Sequence, residues 1–194
     1  YQFAKYAAVI ALLVTSSFGI YSLFDTPSSQ QMITANVKPG SKSEIILPDG
    51  TKVQLNGATT IRYDINDTEQ RLVHLSGEAF FDVAKNPDCP FRVMVNDFQI
   101  EVLGTSFNVN TYKKDVIETS LLTGKIKISG GSLPHEYTLT PGEKATYSSV
   151  DKALKITKAD VHVETGWCND YLIFDSEPLI DVIEQIERWY GVEI

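Results

Sequence analysis

The side chains best suited to chemistry in this chain are scattered. Histidines fall at His74, His135 and His162, none four residues from another and none near a cysteine at ligand spacing, so no metal site is expected. The two cysteines, Cys89 and Cys168, lie far apart and lack the C-x-x-C arrangement of zinc or redox motifs. An oxidising compartment would admit a Cys89–Cys168 disulfide; two separate thiols are the other reading. Glu78 and Asp82 share one parity of an alternating run, about 13 Å apart in a strand and too far for a glycosidase pair, so they read as a solvated face. The G-x-S-x-G, G-x-x-x-x-G-K and G-x-G-x-x-G motifs are absent, and the nucleophile-elbow, P-loop and dinucleotide readings lack their minimum geometry. No cofactor and no enzymatic activity is expected.

Charge narrows the partners. Lys and Arg number 17 against 25 Asp and Glu, a formal net charge of -8 that opposes a phosphate backbone and excludes nucleic acid as the expected partner. With 194 residues, 43% of them hydrophobic, the chain can bury a real core without staples.

The elements that must position these side chains are strands. Val73, Leu75, Ala79, Phe81 and Val83 share one parity, the period-2 pattern of a half-buried strand, and Gly77 sits on that parity where a bend is expected. Phe91, Val93 and Val95 alternate, Asn96-Asp97 turns the chain, and Phe98, Ile100 and Val102 alternate again before Gly104, which reads as a β-meander. Pro48-Asp49-Gly50 predicts a hairpin over residues 43–56, because Pro fixes φ and Gly accepts φ > 0. Met32 to Val37 reads as a first strand, and Tyr137 to Thr140, Pro141-Gly142 and Lys144 to Tyr147 as a further hairpin. Short strands at this spacing predict a mainly β fold, an antiparallel sandwich or roll over residues 41–150.

Both flanks differ. Residues 6–24 carry no charge and as a helix would span about 28 Å, near the thickness of a bilayer core. A single transmembrane helix within residues 1–24 is expected ahead of a signal peptide, which has a shorter apolar run, and ahead of a core helix, which shows a polar stripe. Lys5 before the run and Asp25 after it put the N-terminal side in the cytoplasm. Residues 25–40 and 151–170 read as linkers. Residues 171–194 predict a short strand at Tyr171 to Phe174, a helix capped by Ser176 with Pro178 in its first turn, and a renewed extended piece. Leu179, Val182, Ile183, Ile186 and Tyr190 keep helical spacing up to Gly191, so this is the start of a βαβ module whose apolar stripe needs a surface.

Several stretches together resemble a known family. Leu47-Pro48-Asp49-Gly50-Thr51, Leu75-Ser76-Gly77-Glu78-Ala79-Phe80-Phe81-Asp82-Val83, Pro90-Phe91-Arg92-Val93 and Val102-Leu103-Gly104-Thr105-Ser106-Phe107-Asn108-Val109 occur in the order of the FecR family of anti-sigma regulators. The similarity continues through Leu121-Leu122-Thr123-Gly124-Lys125-Ile126 and Leu139-Thr140-Pro141-Gly142-Glu143. The C-terminal stretch resembles the small module found in secretins and TonB-dependent receptors. The resemblance implies a single-pass protein of the bacterial inner membrane with its bulk in the periplasm. It would receive a signal from the periplasmic signalling domain of an outer-membrane receptor and relay it to an extracytoplasmic-function sigma factor, contacted through a region N-terminal to this sequence. Gly50, Gly77, Phe81, Phe91, Gly104, Phe107 and Gly124 are then fold-determining rather than contact residues. A periplasmic carbohydrate-binding or envelope-structural β-domain is the alternative, with exposed paired aromatics as its expected sign.

Overall fold

A computed structural model describes residues 6, 11, 14–17, 31–64, 71–174 and 176–194. Apart from helical positions 6, 11 and 14–17, the expected membrane span lies outside the described residues; among the described residues no helix is long and apolar enough to cross a membrane. The chain divides into residues 1–30 and 31–194, and the following concerns the second unit.

Its described strands form two seven-stranded sheets. The first runs, edge to edge, β1 (Met32–Val37), β4 (Thr59–Asp64), β5 (Leu72–Ser76), β7 (Phe91–Val95), β8 (Phe98–Val102), β11 (Ile126–Gly130) and β12 (Tyr137–Leu139). The second runs β14 (Ala153–Lys158), β13 (Glu143–Ser148), β10 (Val116–Thr123), β9 (Ser106–Asn110), β6 (Glu78–Asp82), β3 (Lys52–Leu55) and β2 (Ser43–Ile46). Neighbours are antiparallel except β5 and β7, which are parallel. The expected first strand forms as β1, inside residues 25–40, and pairs with β4, while residues 151–170, read as a linker, carry β14, which pairs with β13.

The expected hairpins at Pro48-Asp49-Gly50 and Asn96-Asp97 form as β2–β3 and β7–β8. The meander and the hairpin at Pro141-Gly142 do not. After Gly77, Gly104, Gly124 and Gly142 the chain leaves one sheet for the other, so strands adjacent in sequence become partners across the core instead of along a sheet edge. Alternation alone cannot separate the two outcomes, because an inward parity looks the same in either sheet.

At Gly77 the bend is complete: β5 belongs to the first sheet and β6 to the second, with one residue between them at φ +108°. A Cβ there would lie 2.7 Å from the Thr59 Cα. Gly104 has φ +152°, and its Cβ would lie 2.8 Å from the Lys85 Cα. Both positions exclude a side chain by backbone conformation and by backbone contact.

The odd-numbered apolar residues from Val73 to Val83 are all buried, whichever sheet they sit in. Phe81 stacks on Phe107 at 5.1 Å and tilts against Phe91 at 6.0 Å, joining the sheets through rings that are fully buried. Arg71 seals one end of this core. Its guanidinium donates to Asp49 Oδ2 at 2.8 Å and to the carbonyls of Cys89 at 2.8 Å and Ala84 at 2.6 Å, and it lies 5.5 Å from the Phe91 ring centroid. With its side chain 1% exposed, each of these bonds replaces lost water.

The C-terminal stretch departs from the expected βαβ start. Residues 171–174 form no strand and join neither sheet; α1 (Val161–Thr165) and a 3-10 turn (Gly166–Asn169) precede them. Helix α2 (Leu179–Tyr190) follows Pro178 as its N-cap, not Ser176, which adopts φ +58° upstream. Gly191 ends the helix in the left-handed conformation, as its position predicts.

Two substitutions test this frame. Gly104→Val adds strain of about 1–3 kcal/mol and overpacking of a similar size against a backbone atom. Against a domain stability of about 5–15 kcal/mol, loss of the β-sheet signal in circular dichroism is expected. Arg71→Met strands the buried partners of the guanidinium and lowers stability by about 3 kcal/mol or more, read as a lower urea midpoint with an unchanged slope.

Candidate functional site

The residues singled out from sequence converge on the core. Gly50 shapes the β2–β3 turn, Gly77, Gly104 and Gly124 stand where the chain changes sheets, and Phe81, Phe91 and Phe107 form one aromatic cluster. No disulfide joins Cys89 and Cys168. The Cys89 carbonyl receives Arg71 in the β6–β7 loop, while Cys168 lies in the 3-10 turn, where burial pushes its thiol up to about 12. His135 stacks on Tyr137 at 4.4 Å, His162 lies in the first turn of α1, and His74 is exposed on β5. Among the described residues no three His, Cys, Asp or Glu side chains are placed to hold a metal.

Glu78 is the main correction. Its neighbour on the same parity, Asp82, is exposed, but Glu78 is 7% exposed rather than part of a solvated face. The outer face of the second sheet is covered at this point by the 3-10 turn, which lies about ninety residues away in sequence. Glu78 Oε1 accepts from Asn108 Nδ2 at 2.9 Å and Asn110 Nδ2 at 3.2 Å, and Oε2 accepts from Asn56 Nδ2 at 2.8 Å. Desolvation nevertheless holds its carboxyl above the usual range, with the Glu164 charge adding to the rise.

Trp167 donates its indole N–H to Asn108 Oδ1 at 3.3 Å and is itself buried. Tyr112 donates its hydroxyl to the Gly57 carbonyl and shares a hydrogen bond with Thr59 Oγ1 at 3.2 Å; burial pushes the phenol upward. Lys144 bridges Glu118 at 3.2 Å and Glu164 at 2.9 Å. A cavity of about 110 Å³ opens between this cluster and α2.

Helix α2 meets the sheet through its polar side. Lys42 Nζ donates to the Trp167 carbonyl at 2.7 Å and to Asp170 Oδ1 at 2.8 Å, and lies 3.6 Å from the centroid of the Trp189 ring. Arg188 lies 4.3 Å from the Tyr112 ring centroid, Lys113 pairs with Asp181 at 2.6 Å, and Gly40 N–H donates to the Arg188 carbonyl at 2.8 Å. No α2 residue is fully buried, and Leu179 and Tyr190 on the apolar stripe are 73% and 66% exposed. The expected burial of that stripe is met in part: Val182, Ile183 and Ile186 are half-buried, and its two ends are open.

Sequence reasoning placed Glu78 and Asn108 inside motifs without seeing their role. The available signal was Asn108 itself, an asparagine between the core residues Phe107 and Val109, where strands disfavour that side chain.

The geometry is that of a two-sheet β-domain with a helical attachment. The FecR protein family model matches residues 33–127, and the model for the FecR C-terminal region matches residues 171–194. The chain belongs to the FecR family. Two crystal structures of a candidate anti-sigma factor from Parabacteroides distasonis ATCC 8503, at 2.50 Å and 1.65 Å, share its fold. Each is 32% identical; the first has a TM-score of 0.77 and covers 83% of this chain and 76% of its own, the second 0.76, 82% and 75%. No curated protein matches the sequence. Family and neighbours support a sigma-regulator role.

Replacing Lys42 with Met removes the Trp167 and Asp170 bonds and the contact with Trp189 together. Hydrogen exchange across residues 171–194 is expected to accelerate at least about tenfold, while β6, β9 and β10 keep their protection.

Proposed function

We propose that this chain is the signal-receiving part of a membrane-anchored sigma regulator. Residues 6–24 cross the inner membrane once, the two-sheet domain stands in the periplasm, and the sigma factor is engaged on the opposite side of the membrane. The signal comes from the periplasmic signalling domain of an outer-membrane, TonB-dependent transducer. Family membership supplies the regulatory role, and the observation that favours residues 171–194 as the receiving surface is the exposure of the apolar side chains Leu179, Ile180 and Tyr190 on α2. The polar docking of α2 leaves Leu179 open where a buried helix would have covered it.

A carbohydrate platform finds less support. The Trp189 ring carries Lys42 and the Tyr112 ring carries Arg188, so two aromatics beside the cavity already have cations against them.

The test is a pull-down of the membrane-embedded protein with the transducer's isolated signalling domain. Binding is expected, and Leu179→Asp should weaken it at least about tenfold without changing the urea midpoint, since Leu179 packs against little. Absence of binding by the unaltered protein overturns the relay. Binding untouched by the substitution overturns the assignment of α2 as its surface.

A further inference from the structure

Several connections meet at the end of the β-domain that Arg71 seals. The register carries this end across the first sheet: Met32 stands opposite Asp64, Tyr63 opposite Val73, Leu72 opposite Arg92 and Phe91 opposite Val102. In the second sheet Ile46 pairs with Lys52, Lys52 with Asp82, and Asp82 with Ser106. Hydrogen bonds knit the connections into one surface. Asn86 N–H donates to the Leu103 carbonyl at 2.8 Å, Thr105 Oγ1 to the Lys125 carbonyl at 3.1 Å, and Gly142 N–H to the Leu121 carbonyl at 2.9 Å.

What this end exposes is apolar and basic. Among the described residues between 31 and 160, the exposed large apolar side chains Met32, Ile46, Leu103 and Leu122 all belong to it; Val150 stands at the other end, and Ile156 on the edge strand β14. Lys52, Lys85, Lys125 and Lys158 are exposed at the same end, and the ion pairs of the described residues use other cations. The carboxylates here are largely occupied within the fold. Asp49 is held by Arg71, Glu101 by Arg92 and Glu143 by the Thr140 N–H and hydroxyl; Asp82 accepts from the Ser106 hydroxyl, and Asp88 is exposed. Leucines open to water on two neighbouring crossings, with lysines beside them, suit a surface that is apolar beneath a layer of phosphate.

The chain also enters the domain here. Gln31 donates its backbone N–H to Asp64 Oδ1 at 3.0 Å, one residue before β1. With residues 6–24 read as a membrane span, on which the following contact rests, only residues 25–30 intervene, and a stretch of that length reaches at most about 20 Å. Such a tether holds this end near the bilayer.

We propose that this end of the β-domain rests on the phospholipid surface: Ile46, Leu103 and Leu122 enter the boundary between headgroups and acyl chains, and Lys85, Lys125 and Lys158 meet lipid phosphates. The lysine stems lie along the apolar layer while their ammoniums reach the phosphates. Seated in this way, the domain turns its other end outward. Gly40 and Lys113, which hold α2 through the Arg188 carbonyl and Asp181, belong to that other end, so the helix proposed to receive the signal stands on the side away from the lipid.

The test uses the intact chain, isotope-labelled at its Ile, Leu and Val methyl groups, in nanodiscs of phosphatidylcholine and phosphatidylglycerol that carry a gadolinium chelate on the lipid headgroup. The Ile46, Leu103 and Leu122 methyl signals are expected to broaden at least about threefold more than those of Val150. Leu103→Asp combined with Leu122→Asp should bring the broadening at Ile46 down to that of Val150, with the β-sheet circular dichroism unchanged. Should that pair fail to fold, Ile46→Asp, at the most exposed of the three, is read at Leu103 and Leu122 in the same way. Broadening as strong at Val150, or broadening that the substitutions leave unchanged because the tether alone supplies it, overturns the contact. Failure of the unaltered chain to float with vesicles of the same lipids overturns the membrane span as well, whereas flotation without broadening overturns the contact alone.

Discussion

The structure depends on the chain's ability to pass from one sheet to the other without losing its inward parity. At Gly77 this takes one residue. The backbone crosses so close to Thr59 that a methyl group would collide with the Thr59 Cα, and it does so at a φ that side-chain-bearing residues rarely adopt. Because the crossing consumes a single position, Val73 and Leu75 before it and Ala79 and Phe81 after it all point into the core, from opposite sheets. The aromatic bridge of Phe81, Phe91 and Phe107 follows from that geometry, since two rings come from the second sheet and one from the first.

Much of this was legible from residues alone. Period-2 alternation located the core strands, Pro48-Asp49-Gly50 announced a true hairpin, and the spacing from Leu179 to Tyr190 with Gly191 beyond it marked a helix and its end. What alternation could not carry was the choice of sheet at each glycine. A hairpin turn and a crossing both end an alternating run at Gly and resume it a few residues later; they differ only in which distant strand is already waiting, and that is set by long-range packing. β7 illustrates the point, because its partner in one direction is the parallel strand β5, from which it is separated by the whole of β6 in the other sheet.

The polar site was hidden for a related reason. Glu78 alternates as a solvent-facing residue should, and Asp82 on the same parity does meet water. Only the return of residues 161–169 across the outer face of the second sheet converts Glu78 into a buried carboxylate, and that cover comes from a stretch whose composition suggested a linker. Arg71 is hidden similarly: nothing local shows that a guanidinium will find Asp49 from the β2–β3 turn and Ala84 and Cys89 from the β6–β7 loop converging on it.

The manner of docking separates the two parts of the domain energetically. The sheets are joined by fully buried apolar side chains, whose contribution grows with every ångström squared removed from water, so they open only together. Helix α2 is joined to them by the Lys113–Asp181 ion pair, rings facing cations and a backbone hydrogen bond, each worth little where partly exposed. A segment held in this way can leave the surface at a free-energy cost well below that of unfolding the sheets, and Leu179, Ile180 and Tyr190 are exposed even while it is docked. For a regulator that must change the standing of one region while another stays folded, that division between an apolar core and a polar attachment is the physical requirement. The chain meets it through the order of its residues: hydrophobes at alternate positions from Met32 to Tyr147, then charged and aromatic side chains at the contacts of the helix that follows.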